Sequence, residues 1–328
     1  MSTERRQRLK LLWQGVFLAL LIVGTIFVAR HREEDVKKVQ VETAYQEEQG
    51  FVFGTVYNIK YQYNGSLKKE IEAELQKVDN EFSMFNEHST VAAINRGEQP
   101  QRSKMFEEVY QLAQQVNKDT DGAFDITVAP LVNAWGFGFK NKQMPTPQQV
   151  DSLLQIRSQM DFAAIAKGYG SDVVARLLRS KGIHNFMVEI GGEIVVAGKS
   201  PSNQAWRIGV SQPTEDSLAV NDDYQTVLQL TDISMATSGN YRNFYYQGGK
   251  KYAHTIDPRT GYPVQHSLLS ATVLAKDCAV ADAYATSFMV LGLDKSKELL
   301  ARHPELKAYL IYTDADGNLA VWQSDGLK

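Results

Sequence analysis

Apolar positions along the chain change period several times, and each change predicts an element. Phe51–Tyr63 alternates apolar and polar residues as a strand does, and between Leu67 and Phe82 the apolar positions Ile71, Leu75 and Val78 fall at helical spacing. A second amphipathic helix is expected at Met105–Lys118. The apolar stretch Phe124–Trp135 stops at Gly136-Phe137-Gly138, and Pro145 and Pro147 mark a loop before another short helix. Tyr169, Val173, Leu177 and Leu178 describe a helix that ends at Lys181-Gly182. Strands are expected at Asn185–Ile190, Glu193–Ala197, Trp206–Val210, Thr226–Leu230, Ala253–Ile256 and Ser270–Leu274. Helices at Ala279–Leu291 and near Lys295–His303 precede a last hairpin around Asp316-Gly317. Strands and helices without regular βαβ alternation indicate an α+β fold, mixed sheets with packed helices.

The N-terminus follows another pattern. Arg5, Arg6, Arg8 and Lys10 in a basic tail, residues 1–10, precede the apolar run 11–29, broken only by Gln14, the glycines and Thr25. At 1.5 Å per residue that run just reaches across a hydrocarbon core of about 30 Å. It is either a signal anchor or the core of a secretory signal peptide, and Phe27 and Ala29 make a poor small-x-small cleavage site, which favours an uncleaved transmembrane helix. Residues 30–48, charged and polar, read as a stalk, and residues 49–328 as the folded domain. Basic residues flank the run on both sides, so charge does not set its orientation. Elsewhere the 35 basic and 38 acidic residues balance to a net charge of -3, without the basic tract that nucleic-acid binding requires. A single cysteine, Cys278, excludes an intramolecular disulfide or a Cys-rich metal site and reads as a small packed residue.

Candidate chemistry concentrates in a few segments. In AVADAYATSFMVLG, from Ala279, Asp282 and Thr286 share a helix face beside Ala283 and Ala285. Two oxygens among small side chains suit a hard cation that also holds phosphate; the alternative is a Thr bonding back to its own helix and a solvated Asp. Gly122-Ala123-Phe124 follows Asp121 in a tight turn, where exposed amides beside an aromatic ring could hold a flat ring system, or where Phe124 simply joins the core. In DFAAIAKGYG a helix is expected to begin immediately after Lys167-Gly168, so a diphosphate could meet both helix N-terminus and ammonium; a solvated first-turn Lys is the plainer reading. Tyr252, His254 and Ile256 alternate on one strand face before the turn Asp257–Gly261, leaving His254 as an acid–base candidate or a structural histidine. His88, His184 and His266 show no metal-ligand spacing, and Gly191-Gly192, neither Walker A nor GxGxxG, reads as a close-packing position. Ser238 lacks a nucleophile elbow.

Eight motifs stand in order: FGTVYNI from Phe53, FSMFNEHSTVAAIN from Phe82, DGAFDITVAPLVNAWGFG from Asp121, DFAAIAKGYGSD from Asp161, VEIGGEIVVAG from Val188, ATSGNYRNF from Ala236, HTIDPRTGYPV from His254, and the Asp282 segment. From about Phe51 to the C-terminus the chain resembles the ApbE family of FAD:protein FMN transferases. The resemblance implies Mg²⁺-dependent transfer of FMN from FAD, as substrate, to a threonine hydroxyl of an acceptor protein, with release of AMP. It also implies FAD contacts from Phe53, Phe85, Gly122, Ala123 and Phe124, and from Asp161, Lys167 and Ile256. By the same resemblance the backbone carbonyl of Ala164 joins Asp282 and Thr286 around Mg²⁺. Asp282 and His254 are the candidates for the base. Expected acceptors are FMN-binding subunits of membrane redox complexes, of the sodium-pumping NADH:quinone oxidoreductase or Rnf type. The expected location is the bacterial inner membrane, with the catalytic domain periplasmic. Many relatives are lipoproteins anchored through an N-terminal cysteine, which this chain lacks. Two competing functions use the same residues: an FAD pyrophosphatase, with water replacing threonine, and a non-catalytic flavin-binding protein, against which Asp282 and Thr286 speak.

Overall fold

The computed structural model describes residues 13, 23–25, 44–137, 144–213, 224–240, 244–247 and 250–327. The chain divides into two units, Met1–Ala44 and Tyr45–Lys328. Of the first, Trp13 and Val23–Thr25 are helical; the basic tail, the rest of the expected span 11–29 and the stalk as far as residue 43 lie outside the described residues. Among the described residues no helix is long and apolar enough to cross a membrane.

The second unit opens on a hairpin, β1 (Tyr45–Val52) and β2 (Thr55–Gln62). Phe53 and Gly54 between them have φ of 53° and 76°, the left-handed two-residue turn that matches strand twist. This turn splits the single strand expected over Phe51–Tyr63. Tyr45–Glu48, expected as stalk, are the first half of β1, an edge strand whose polar composition does not distinguish it from a linker.

Helices α1 (Lys68–Phe82), α2 (Thr90–Asn95) and α3 (Lys104–Asp119) follow, the last two started by Ser89 and Ser103, whose hydroxyls accept first-turn amides. A 3-10 turn at Ile126–Val128 leads into α4 (Ala129–Ala134), then come α5 (Pro147–Leu153), opened by a Thr146/Gln149 capping box, and α6 (Ala166–Ser180). Next are β3 (Phe186–Ile190), β4 (Glu193–Ala197), β5 (Trp206–Ser211), β6 (Tyr224–Leu230), β7 (Ile233–Gly239), β8 (Phe244–Gln247), β9 (Lys250–Ala253) and β10 (Leu268–Ala275). The chain finishes with α7 (Cys278–Leu291), α8 (Leu293–Arg302), β11 (Lys307–Thr313) and β12 (Leu319–Gln323). The strand expected at Ala253–Ile256 ends where it was to begin, because β9 stops at Ala253 and Ile256 makes an isolated bridge to Pro263.

Eight of the described strands form one sheet in the order β1-β2-β3-β4-β7-β10-β11-β12, every neighbouring pair antiparallel. The fold is α+β. Strand β7, absent from the expected elements, sits near the centre between β4 and β10. Strand β4 is buried on both faces: Val195 and Ala197 join the cluster under α1 and α6, while Ile194 and Val196 pack with Trp206, Ile208 and Leu228 of the β5–β6 hairpin. That double cover explains its uninterrupted apolar run after Glu193.

Helix α7 is apolar nearly all round and lies between α6 and the β7–β10 part of the sheet. Two features lock it to α6. Asp172 accepts the first amides of α7, from Cys278 (2.8 Å) and Ala279 (2.9 Å), so a carboxylate of one helix caps the other. Gly168 lets the helices touch: a Cβ there would lie 2.4 Å from the Cys278 carbonyl oxygen. Cys278 is fully buried, as a small packed residue.

Candidate active site

A cavity of about 610 Å³, within the usual range for a bound small molecule, opens where α6, α7, β7 and the turns around Phe53, Phe85 and Phe124 meet. Phe53, Phe85, Ala123, Phe124, Asp161, Ala164, Lys167, His254, Ile256, Asp282 and Thr286 all line it. Gly122 does not; it stands beside the wall with φ 76°, and its Cα faces the stem of Arg259.

The polar constellation is built by the α6–α7 crossing. Helix α6 begins at Ala166, one residue before Lys167, so Lys167 and Gly168 belong to its first turn instead of preceding it. The Gly168 amide, an unpaired donor of that turn, donates to Asp282 Oδ2 at 3.0 Å. Asp282 is thus buried, not solvated, and among the described residues this is the one hydrogen bond its carboxylate accepts. Lys167 Nζ lies 4.0 Å from the same oxygen but donates at 2.7 Å to Glu193 Oε1. Glu193 was not anticipated. The signal was present, a carboxylate heading an otherwise apolar strand just after Gly191-Gly192. Thr286, one turn beyond Asp282, bonds Ser238 Oγ of β7 at 3.1 Å; it is Ser287 that bonds back to its own helix, through Ala283 O. Ser238 and Thr237 reach the wall because β7 is central; Thr237 was missed with that strand, and Ser238, considered as a nucleophile, stands there as the partner of Thr286.

Charge follows burial. Desolvation pushes the Glu193 and Asp282 carboxyls above their ordinary range, with Lys167 opposing the shift in both. Burial pushes the Lys167 ammonium down, but Asp282 and Glu193 together outweigh it and hold it above its usual value. Asp161 is likewise raised by burial, against the Ala163 amide that donates to it at 2.8 Å.

Of the aromatic lining, Phe53, Phe85 and Phe124 come from turns, and Phe82 from the end of α1. The Phe53 ring lies against α6 at Gly170, where a Cβ would stand 2.7 Å from it. Phe124 is 3% exposed and packs in the main core while also lining the cavity, whereas the turn amides expected to be exposed are paired: Gly122 donates to Asn117 O, Ala123 to Thr120 O and Phe124 to Thr120 Oγ1. Phe85 is 77% exposed at the cavity wall. His254 follows the end of β9, so it does not alternate with Tyr252 and Ile256 along one strand face. Its loop is held by other means: Trp135 Nε1 donates to Gly261 O at 2.7 Å, Thr255 bonds Asn240, and Arg259 makes a two-point pair with Asp257. The His254 ring stands edge-on to Phe137, centroids 6.4 Å apart.

Comparison with known proteins decides the family, since the model of the ApbE family matches residues 53–310. The chain belongs to the ApbE family. Curated relatives named FAD:protein FMN transferase include one from Haemophilus influenzae, 35% identical with 90% of this chain and 94% of the relative covered, and one from Escherichia coli K12, 30% identical with 95% and 96% covered. Among solved structures the flavin transferase ApbE from Vibrio cholerae superposes with a TM-score of 0.77 at 32% identity, covering 86% of this chain and 97% of its own. The apo flavinyl transferase ApbE from Pseudomonas stutzeri gives 0.74 at 29%, covering 86% and 95%. The ApbE architecture is therefore present from the hairpin turn at Phe53 to β11, the span that carries the cavity.

Proposed function

We propose that this protein transfers FMN from FAD to a threonine hydroxyl of another protein, with Mg²⁺ bound at Asp282, Thr286 and the Ala164 carbonyl. The observation that carries the reading is one cavity in which exposed and half-buried aromatic rings face an ammonium flanked by two buried carboxyls. The names of the relatives support the same activity.

The donor set fits the metal. A carboxylate, a hydroxyl and a carbonyl are hard oxygen ligands, and Asp282, with one amide donor on Oδ2, keeps lone pairs for a cation. Bound Mg²⁺ would supply charge neutralisation on the diphosphate. The chain's own residues do the rest: Phe53, Phe85 and Phe124 offer ring faces to the isoalloxazine, and Lys167 offers its ammonium to the diphosphate. The acceptor hydroxyl oxygen attacks the FMN-side phosphorus, the bond to the bridging oxygen breaks, and AMP leaves with that oxygen. The hydroxyl proton passes to a base, for which His254 and Asp282 are the candidates at the cavity wall. Holding the groups in line and neutralising developing charge provides most of the acceleration.

The test is incubation with FAD, Mg²⁺ and a candidate acceptor domain, an FMN-binding subunit of an NADH:quinone oxidoreductase or Rnf-type complex, followed by intact mass. An FMN-sized adduct on threonine is expected. FMN released free would instead favour a pyrophosphatase, and unchanged FAD a flavin-binding protein. We propose further that residues 11–29 anchor the protein in the inner membrane with residues 49–328 outside the cytoplasm, where such acceptors are reached. Phosphatase and fluorescent-protein fusions at residue 49 read the orientation; a fluorescent, phosphatase-negative result would refute it.

A further inference from the structure

Lys167 is held in a contest between two carboxylates. Its ammonium donates to Glu193 Oε1 at 2.7 Å, yet Asp282 Oδ2 is only 4.0 Å away. The other Glu193 oxygen, Oε2, is buried and accepts no hydrogen bond among the described residues. A carboxyl so enclosed and half-satisfied is costly to keep, and among the described residues the side chain that pairs with it is Lys167. Gly191, with φ 63°, stands beside the pair: a Cβ there would clash with Thr55 Cγ2 at 2.7 Å and come into ordinary contact with Lys167 Cδ at 3.4 Å. Ser171 Oγ donates to the Glu193 backbone carbonyl at 3.0 Å, tying β4 to α6 next to the pair. Helix and strand thus fix both partners.

We infer that Glu193 is a positioning residue: it binds and neutralises Lys167, and so keeps the ammonium off Asp282 and leaves that carboxylate open to a divalent cation. Without Glu193, the nearest carboxylate left to Lys167 is Asp282. An ammonium hydrogen-bonded to Asp282 then competes with the metal for the same oxygens. This inference rests on the metal reading of Asp282 and concerns a residue outside the ligand set.

The test measures Mn²⁺ binding to the full-length protein by electron paramagnetic resonance titration, in wild type and in Asp282→Ala, Glu193→Gln and Glu193→Gln/Lys167→Met. Glu193→Gln, close to isosteric, is expected to keep the fold, with circular dichroism and thermal melting as the check. It is expected to weaken Mn²⁺ about tenfold, the size of a lost charge-assisted contact. The double variant, having lost the competitor, is expected to bind within about threefold of wild type. A crystal structure of Glu193→Gln is expected to show Lys167 Nζ at hydrogen-bond distance from Asp282, about 2.7–2.9 Å. Unchanged or tighter Mn²⁺ binding in Glu193→Gln, failure of the double variant to recover, or an unmoved Lys167 would each overturn the inference. Equal binding in wild type and Asp282→Ala would overturn the metal reading and the inference with it.

Discussion

The Asp282, Lys167 and Glu193 part of the cavity wall stands on elements from the middle of the core, whereas Phe53, Phe85 and Phe124 reach it from turns. Asp282 and Lys167 project from two helices locked through Gly168 and Asp172, and Glu193 heads a strand buried on both faces. Phe53, Phe85 and Phe124 sit in the β1–β2 turn, the segment after α1, and the turn after α3. Spacing between unlike charges matters over tenths of an ångström, so those groups are placed where packing allows no slack. A ring face tolerates looser support because stacking is broad in geometry.

The sharpest way to break this comparison is Asp282→Ala, which removes a charged oxygen from the rigid wall. Transfer is expected to fall at least about 100-fold, with the melting temperature little changed; full activity at ordinary Mg²⁺, or insensitivity of the wild type to EDTA, would remove Asp282 from the chemistry. Gly168→Ala attacks the same wall through its packing. Its new Cβ would meet backbone at 2.4 Å and 2.7 Å, so α6 and α7 must part, costing about 3 kcal/mol in urea unfolding. A cost below about 1 kcal/mol would mean that the crossing has slack after all.

Smaller effects sharpen the contrast. Lys167→Ala is expected to weaken FAD about ten- to hundredfold while sparing riboflavin, since the ammonium acts on the diphosphate. Equal losses in fluorescence titrations would assign Lys167 to the ring pocket or the fold. Phe85→Ala, at an exposed turn, is expected to cost about 0.5 kcal/mol or less in stability and to weaken FAD and riboflavin alike, by about two- to tenfold. A loss for FAD alone would place Phe85 against the AMP half.

Local pattern determined much of this protein. Helical spacing located α1, α3, α6, α7 and α8 to within a few residues, and motif order led to the family. Asp282 and Thr286 were legible because one helix face is a local property. The hairpin turn was not, since Phe53-Gly54 interrupts an alternation that still looks continuous in composition. Nor was β7, whose small polar residues Ser234, Thr237 and Ser238 are strand-like only with β4 and β10 on either side. Glu193 is the clearest case. In sequence it is one charge before an apolar strand, and its meaning comes from Lys167, 26 residues earlier, and Asp282, on another helix. Which carboxylate an ammonium takes depends on distances that a glycine crossing and a buried strand set together, and no periodicity along the chain encodes those distances.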